Sequence, residues 1–366
     1  MPRITPTVEQ LPATIPFVGP EAAERKRGRN FLARIGANES VFGPSPNAKE
    51  AMRRAAEDVW MYGDPENHDL KHAISEHLGV GFENVVVGEG IDGLLGYLVR
   101  MIVQPGTRVV TSHGAYPTFN FHVNGHGGEL VMVPYRDDHE DPDGLIGAAA
   151  QCGAALIYLA NPDNPMGTWH PASTLRNMIE CVPDGSLLVL DEAYVECMPA
   201  GHSLPFDTSD PKVIRMRTFS KAHGMAGARV GYAIGHKDLI SSFDKIRNHF
   251  GMCRVSQAGA LAALSDRDHL LATVRRIGEA RQRIAEIAVS CGLKPVPSGA
   301  NFVAVDCGRD GRFANRVMNS LIGRGIFVRK PVVPPQDRCI RISAGTEQDL
   351  RLLAEELPSA IESARG

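Results

Sequence analysis

The sequence has no long apolar run. A transmembrane helix needs about 20 consecutive apolar residues, and no stretch of the chain approaches that length. The N-terminus has no apolar core either, because Pro2, Arg3, Pro6, Glu9 and Pro12 interrupt it. A secretory signal needs such a core. We therefore expect neither a membrane protein nor a secreted one.

The sequence also has no excess of basic residues. It contains 39 lysines and arginines against 42 aspartates and glutamates, which gives a net charge of −3 at pH 7. A protein that follows a nucleic-acid backbone needs a basic surplus to neutralise the phosphates. Nucleic acid is therefore not an expected partner.

Paired cysteines and the common metal-binding patterns are missing as well. The seven cysteines include no C-x-x-C pair, which favours buried, reduced thiols and a cytoplasmic location. His122 and His126 have the spacing of one helix face, but no H-E-x-x-H motif accompanies them. We expect no metal site.

What the sequence does contain is an alternation of short apolar strands with helical or loop stretches. Its composition, 43% hydrophobic and 22% charged, is typical of a globular protein. Nearly all-apolar strands between helices indicate a parallel sheet that is covered on both faces. The predicted fold class is α/β, with a mostly parallel seven-stranded sheet flanked by helices. The seven strand patterns are 84–87, 108–111, 129–133, 155–159, 187–190, 213–217 and 230–234.

The pattern changes after about residue 254, and a chain of 366 residues is long enough for a second domain. Two long helical patterns are followed by a strand, a helix, two strands and a closing helix. This order predicts a smaller α+β domain. The first 45 residues are rich in proline and glycine and are expected to form an extended arm. We expect an arm at 1–45 that belongs to the small domain, a large domain at 46–265 and a small C-terminal domain at 266–366.

A glycine motif stands between the first strand pattern and a helix. Residues 88–93 read G-E-G-I-D-G, the G-x-G-x-x-G form of a dinucleotide site. That site also needs an acidic residue at the end of the next strand, and residues 111–114 contain none. The motif still predicts an anion site, because the free N–H groups of a helix start bind phosphate. An NAD enzyme stays as an alternative, and it predicts a colourless protein.

The segment 218–232, TFSKAHGMAGARVGY, contains the residues of strongest chemical interest. Lys221 stands just past an apolar strand, and Arg229 follows eight positions later. A lysine amine can form a Schiff base with an aldehyde. The hydroxyls of Thr218 and Ser220, together with Arg229, suit a phosphate on the same molecule. The alternative is an ordinary exposed lysine on a loop.

Four polar or aromatic residues at strand ends favour the chemical interpretation. Asp191 closes an apolar strand, where a carboxylate needs a cationic partner such as a pyridinium nitrogen; the alternative is a helix-capping aspartate. Asn164 lies in a proline-rich turn after another strand, and Tyr194 follows Asp191. Tyr116 is placed to stack on a pyridine ring, or simply to pack in the core.

Taken together, these segments resemble the fold-type I aminotransferases that depend on pyridoxal 5′-phosphate (PLP). The block S-K-x-x-x-[LM]-[AG]-x-x-R-x-G matches residues 220–231. The length, and the segments 325–329 and 339–346, look most like the histidinol-phosphate aminotransferase branch. The order of elements matches over nearly the whole chain, at Asn38, Glu39, Tyr62, Gly90, Ile91, Asp92, Tyr116, Asn164, Asp191, Tyr194, Lys221, Arg229 and Arg341.

The resemblance implies a role for each matched residue. Lys221 would form the Schiff base and carry the proton between the substrate Cα and C4′ of PLP. Asp191 would pair with the pyridine nitrogen, Asn164 and Tyr194 would contact the phenolic oxygen, and Tyr116 would stack on the ring. Tyr62 would reach the phosphate from a second subunit, which implies a homodimer with shared active sites. The other residues implied at the phosphate are Gly90, Ile91, Asp92, Thr218, Ser220 and Arg229.

The implied substrates are an amino donor and a 2-oxo acid such as 2-oxoglutarate, in amino-acid biosynthesis. Arg341, with Arg329 beside it, would bind the donor's carboxylate or phosphate, and Asn38 lies in the arm that covers the substrate. Histidinol-phosphate enzymes typically have a tyrosine in this arm, where this sequence has Phe17. A lost hydroxyl donor to phosphate would cost roughly 1.5–3 kcal/mol. The donor is therefore histidinol-phosphate or an aromatic or other amino acid.

Two further alternatives keep the cofactor. One is a PLP-dependent decarboxylase, lyase or cyclase, because one scaffold supports several reactions. The other is a PLP-binding regulator, which would usually carry a DNA-binding domain, and the chain has neither the spare length nor the basic patch for one.

Overall fold

A computed structural model describes residues 3–13, 19–199 and 201–365. The strands are β1 Ala33–Arg34, β2 Val85–Gly88, β3 Arg108–Ser112, β4 Glu129–Val133, β5 Leu156–Ala160, β6 Leu187–Asp191, β7 Val213–Thr218, β8 Gly231–Gly235, β9 Lys294–Pro295, β10 Phe302–Asp306, β11 Ile326–Phe327 and β12 Cys339–Ser343. The α-helices are α1 Pro6–Glu9, α2 Pro20–Arg27, α3 Pro46–Ala55, α4 His68–Leu78, α5 Gly90–Ile102, α6 Pro117–Gly125, α7 Pro142–Cys152, α8 Ala172–Glu180, α9 Lys237–Phe243, α10 Arg254–Ser265, α11 Arg267–Ser290, α12 Gly311–Gly323 and α13 Glu347–Arg365.

The central sheet has seven strands in the order β2-β8-β7-β6-β5-β3-β4. The pairs β4–β3, β3–β5, β5–β6 and β6–β7 are parallel, whereas β8 runs antiparallel to both β7 and β2. Every residue of β5, β6 and β8 is buried, as expected for strands that helices cover on both faces. The predicted α/β class and the mostly parallel seven-stranded sheet are confirmed.

Helices pack on both faces of this sheet. One face is covered by α5, α6 and α9. On the opposite face, α7 and α8 cover one half and α3, α4 and α10 cover the other. The parallel strands all end at the same edge, and open α/β folds bind their ligands at that edge.

The C-terminal part has its own sheet and core. β10 pairs antiparallel with β12 and with β9, and α11, α12 and α13 contribute to the apolar cluster beneath this sheet. Ala33 and Ile35 from the N-terminal region join the same cluster, and β1 pairs with β11. The N-terminal region therefore packs with the C-terminal part.

The N-terminal region is less extended than the sequence pattern predicts, because Pro20–Arg27 forms α2. Pro20 occupies the first helical position, which suits its fixed φ, and the helix ends at Gly28 with φ +70°. Within the described part of the chain, no helix combines the length and the apolar character that crossing a bilayer requires.

Candidate active site

Lys221 lies three residues past the end of β7, at the ligand-binding edge of the sheet. Its Nζ donates to the backbone carbonyl of Asn38 at 3.1 Å and lies 5.5 Å from the ring centroid of Tyr194. Burial, followed by the positive charges of Arg341 and Arg229, lowers the pKa of Lys221 to about 8. A substantial fraction of the amine is therefore neutral near pH 7–8, as a nucleophile or proton acceptor must be.

Asp191 is the last residue of β6 and is buried. Its Oδ2 accepts the hydroxyl of Tyr158 at 2.7 Å, and its Oδ1 accepts the N–H of Ala193 at 2.9 Å. Burial raises the pKa of Asp191, and these two hydrogen bonds oppose that rise. The carboxylate is held at the ligand-binding edge in the position predicted for a partner of the pyridine nitrogen.

Tyr194 and Asn164 approach the same region from two different loops. Tyr194 is buried, its hydroxyl accepts Nδ2 of Asn38 at 3.1 Å, and its ring meets Phe302 edge-on at 5.5 Å. Asn164 follows β5, and its Oδ1 accepts Nη1 of Arg341 at 2.6 Å. The Asn164 amide is therefore linked to the small C-terminal sheet, and the Tyr194 hydroxyl is linked to the N-terminal region.

Tyr116 directly precedes α6 and packs against the core on the α5 face. Burial raises the pKa of its hydroxyl to about 12, so the phenol stays protonated. The predicted stacking of this ring on the cofactor stays a prediction.

The residues predicted to hold the phosphate converge at the N-terminus of α5. Gly90 has φ +76°, and a Cβ added there would lie 2.6 Å from Nη2 of Arg229. Nη1 of Arg229 lies 3.4 Å from Oγ of Ser220, which also accepts the hydroxyl of Thr218 at 2.9 Å. Ile91 is buried in the second position of the helix. A guanidinium, two hydroxyls and free helix N–H groups together form a donor set for a phosphate dianion.

Asp92 faces a different partner. Its Oδ1 lies 3.1 Å from Nε2 of His122 on α6, so its carboxylate links the two helices that flank this donor set. This contact gives His122 a hydrogen-bond partner on α5. In the sequence, His122 and His126 had the spacing of one helix face but no metal-binding motif. Within the described residues, no cluster of histidine, cysteine and acidic side chains is arranged to hold a metal ion.

The two arginines predicted to bind substrate lie side by side. The backbone N–H of Arg341 donates to the carbonyl of Arg329 at 2.6 Å, and the reverse bond is 3.3 Å long. Burial lowers the pKa of Arg341 to about 10 and also lowers the pKa of Arg329. The Nε of Arg341 is buried without a hydrogen-bond partner. Two close, desolvated cations favour an anionic ligand.

Asn38 connects the arm to the site through both its backbone and its side chain. It is buried and has φ +55°, a left-handed conformation that asparagine tolerates better than most residues. Its N–H donates to Oγ of Ser343 at 2.9 Å, and its carbonyl accepts both Lys221 and Nδ2 of Asn301.

Tyr62 is 77% exposed in this single chain, and its ring is tilted against that of Phe250 with centroids 4.8 Å apart. The predicted contribution of Tyr62 to a second subunit's site stays a prediction. Phe17 lies outside the described residues.

Sequence reasoning missed several residues that support the site. Asn301 and Ser343 hold Asn38 but are 263 and 305 positions away in the chain, so no local pattern connects them. Tyr158 could have been found from the sequence, because it places a hydroxyl group inside an otherwise aliphatic strand. Glu140 is buried and accepts the N–H of Ala160 at 2.8 Å and the hydroxyl of Ser112 at 2.6 Å. It thereby ties the ends of β5 and β3 together.

The residues present fit PLP. A half-buried lysine with a lowered pKa suits the aldehyde, a buried carboxylate suits the ring nitrogen, and the cradle at Gly90 and Arg229 suits the phosphate. A Cβ at position 90 would meet the Arg229 guanidinium, so the glycine lets this donor approach the start of α5.

The fold and this site define the class of protein, a PLP-dependent enzyme of fold type I. The family model described as Aminotransferase class I and II matches residues 33–357, and the chain belongs to this aminotransferase family. The predicted enzyme class, its reaction type and its cofactor are thereby confirmed, and the decarboxylase, lyase and cyclase alternatives are not favoured.

The relatives specify the branch within that family. The histidinol-phosphate aminotransferase of Anaeromyxobacter sp. (strain Fw109-5) is 34% identical over 353 residues, which cover 95% of this chain and 96% of the relative. The crystal structure of histidinol-phosphate aminotransferase from Sinorhizobium meliloti in complex with pyridoxal-5′-phosphate has a TM-score of 0.96 and 53% identity, and covers 99% of this chain and 98% of that chain. The aspartate aminotransferase of Thermus thermophilus, with a TM-score of 0.83, 24% identity and coverage of 98% and 100%, shows a likeness of fold alone.

Proposed function

We propose that this aminotransferase takes its amino group from histidinol-phosphate and passes it to a 2-oxo acid such as 2-oxoglutarate. The observation that carries this proposal is the pairing of Arg329 and Arg341, two half-buried cations with lowered pKa values. Such a pair suits the phosphate of one substrate and the carboxylate of the other. The naming of the relatives as histidinol-phosphate aminotransferases supports the same choice.

In the proposed reaction, Lys221 moves the proton. Bound PLP supplies an electron sink that stabilises negative charge at the substrate Cα. Lys221 Nζ takes the proton from Cα, and its low pKa keeps the amine neutral enough to do so. Asp191 would balance positive charge at the ring nitrogen of bound PLP, and its buried position would keep water from screening that interaction.

The remaining residues orient the reactants. With the cofactor bound, Tyr194 and Asn164 would offer a hydroxyl and an amide to its phenolic oxygen, and Tyr116 would limit movement of its ring. Arg229, Ser220 and the N-terminus of α5 retain the phosphate.

An amino-donor screen against 2-oxoglutarate tests the substrate assignment. Histidinol-phosphate, phenylalanine and tyrosine are compared by kcat/KM, with formation of glutamate as the common readout. The proposal expects histidinol-phosphate to exceed both aromatic amino acids by at least about 100-fold, because a phosphate makes several charge-assisted hydrogen bonds. A preference for phenylalanine or tyrosine would contradict the assignment and favour the aromatic alternative raised by Phe17.

We also propose that the protein forms a homodimer in which Tyr62 reaches the phosphate of the second subunit. Val59, Trp60, Tyr62 and Phe250 are 63%, 79%, 77% and 54% exposed, and the rings of Tyr62 and Phe250 are in contact; exposed apolar side chains of this kind often mark an interface. Mixing Lys221→Ala and Tyr62→Ala subunits tests this arrangement. Each mixed dimer should regain one intact site, whereas sites contained in one chain would regain no activity.

We propose two further assignments, one of the domains and one of the location. The shared core of Ala33 and Ile35 with α11–α13 supports an arm at 1–45 that moves with a small domain at 266–366, separate from a large domain at 46–265. All seven cysteines are free thiols, which supports the cytoplasmic location.

A further inference from the structure

A tyrosine in the middle of the central sheet contacts the carboxylate of Asp191. Tyr158 lies in β5 and is fully buried. Its hydroxyl donates to Oδ2 of Asp191 at 2.7 Å, while Ala193 donates to Oδ1 at 2.9 Å. Because each oxygen has its own donor, the carboxylate cannot rotate without losing a hydrogen bond in a buried position, where such a loss is costly.

The strand register and the core fix the tyrosine in this place. In the parallel pair β5–β6, Tyr158 lies opposite Val189, and Ala160 lies opposite Asp191. Alternate residues of a strand share a face, so Tyr158 and Asp191 are on the same face, one step apart along the strands. Phe119 of α6 stacks on the tyrosine ring, with centroids 4.5 Å apart and planes 17° apart.

The hydrogen bond also affects the charge of Asp191. Burial raises the pKa of this carboxyl, and the Tyr158 hydroxyl is the first of the groups that lower it, followed by Ala193 and Lys221. The other titratable groups that interact with Asp191 include Glu192, Glu140, Tyr116 and Tyr194. Glu192 carries the same charge as Asp191 when ionised, and the hydroxyl donor of Tyr158 opposes this effect by favouring the negative carboxylate.

We propose that Tyr158 is a positioning residue, which fixes the orientation and the negative charge of Asp191 toward the ring nitrogen of PLP. The inference rests on the proposed role of Asp191. It does not depend on which amino donor the enzyme accepts.

Tyr158→Phe tests the proposal, with Tyr232→Phe as the matched control. Tyr232 is also a buried tyrosine of the central sheet, but it packs in the cluster on the other face, with α3, α4 and α10. In the PLP-loaded enzyme we follow the visible absorbance of the bound cofactor against pH, without any amino donor. The midpoint of this titration reports protonation of the Schiff base between Lys221 and PLP. Tyr158→Phe should raise the midpoint by about one pH unit. The ring nitrogen would carry less positive charge, and this charge opposes protonation of the Schiff base.

Kinetics and cofactor affinity give independent readouts. Tyr158→Phe should lower kcat about 10-fold or more, as expected for one hydrogen bond to a charged group, with KM within about twofold. It should also weaken PLP binding, whereas Tyr232→Phe should leave the midpoint and kcat unchanged. A side chain that only fills the core would lower the unfolding temperature alike in both variants and leave the midpoint in place, and that result would overturn the proposal.

Two additional variants keep the test decisive. In an Asp191→Asn background, Tyr158→Phe should add little further effect, because the two residues act as one unit. If Asp191→Asn itself leaves the midpoint unchanged, the proposed role of Asp191 fails, and the positioning role of Tyr158 fails with it. If Tyr158→Phe does not fold, 3-fluorotyrosine at position 158 preserves the ring and makes the hydroxyl a stronger donor. Its midpoint should then move downward, and a midpoint at the native value would overturn the proposal.

Discussion

The backbone carbonyl of Asn38 accepts the hydrogen bond of Lys221 Nζ at 3.1 Å. The lysine comes from the end of β7 in the central sheet, and the asparagine from the N-terminal region that packs on the small C-terminal sheet. The amine is therefore held by a backbone group in an uncommon conformation, with φ +55° at Asn38. The backbone conformation of Asn38 therefore helps to fix the position of the Lys221 amine.

Replacement of Asn38 separates the effects of its backbone and its side chain. Asn38→Ala and Asn38→Gly both lose the hydrogen bonds to Tyr194 and Ser343, but only alanine is strained at φ +55°. A left-handed conformation costs a residue with a Cβ about 1–2 kcal/mol. We expect Asn38→Gly to unfold at higher denaturant concentration than Asn38→Ala, with similar losses of activity. Equal stability of the two variants would show that the backbone conformation is not strained.

The low pKa of Lys221 predicts how the stability of the apoenzyme depends on pH. Burial lowers this pKa from 10.5 to about 8 in the folded protein, so the folded state disfavours the charged amine. The resulting penalty is fully present below pH 8, fades between pH 8 and 10.5, and is absent above that range. Lys221→Met should therefore be more stable than the native apoenzyme at pH 7.

Thermal unfolding of the apoproteins at several pH values checks this prediction. The difference between Lys221→Met and native protein should shrink as the pH rises from 8 toward 10.5. A difference that stays constant over this interval would mean that the pKa of Lys221 is not lowered, and that the variant acts through packing alone.

Arg341 should contribute to binding of an anionic group of the substrate. Arg341→Lys retains one charge but loses the guanidinium fork that binds two oxygens at once. Loss of one hydrogen bond to a charged group corresponds to roughly 10–100-fold in kcat/KM for the phosphorylated donor. Arg338→Lys is the control, because Arg338 pairs with Asp138 and Asp306 outside the site. Equal kinetic losses in both variants would argue against substrate binding by Arg341.

A pair of glycines tests the phosphate cradle. Gly90 and Gly106 have φ values of +76° and +85°, but a Cβ at Gly90 would meet Arg229 at 2.6 Å, whereas nothing lies within 4 Å of a Cβ at Gly106. Alanine at either position should cost about 1–2 kcal/mol of stability from backbone strain. Only Gly90→Ala should also weaken PLP binding, by about tenfold, because Arg229 must move. Equilibrium titration with PLP measures the difference, and unchanged affinity in Gly90→Ala would place the phosphate elsewhere.

The sheet, and the end of each strand to within one residue, were predictable because their signal is local. A run of apolar residues that stops at a carboxylate, as 187–191 does, marks both a buried strand and a residue at its ligand-binding edge. The order of the strands also brings Asn164, Asp191 and Lys221 together, since their strands β5, β6 and β7 are neighbours. The positions of these three residues therefore follow from topology.

The residues that support the site were not predictable, because their contacts are not local in the sequence. Asn301 and Ser343 reach Asn38 across more than 260 positions, and their partners depend on how the small sheet packs on the large one. The buried Glu140 and Asp163 read as ordinary loop acids in the sequence. Burial raises the pKa of Asp163 to about 7, an effect that appears only when the three-dimensional surroundings are known.

Peptide mapping after borohydride reduction tests the central claim most directly. Separate samples of the PLP-loaded protein are reduced at three stages: before addition of histidinol-phosphate, after its addition, and after the further addition of 2-oxoglutarate. We expect the cofactor to be fixed on the peptide that contains Lys221, the label to be lost once the donor has aminated the cofactor, and the label to return when the 2-oxo acid takes the amino group away. Label on another lysine, or a label that the donor consumes without the 2-oxo acid restoring it, would contradict a transaminase that operates through Lys221.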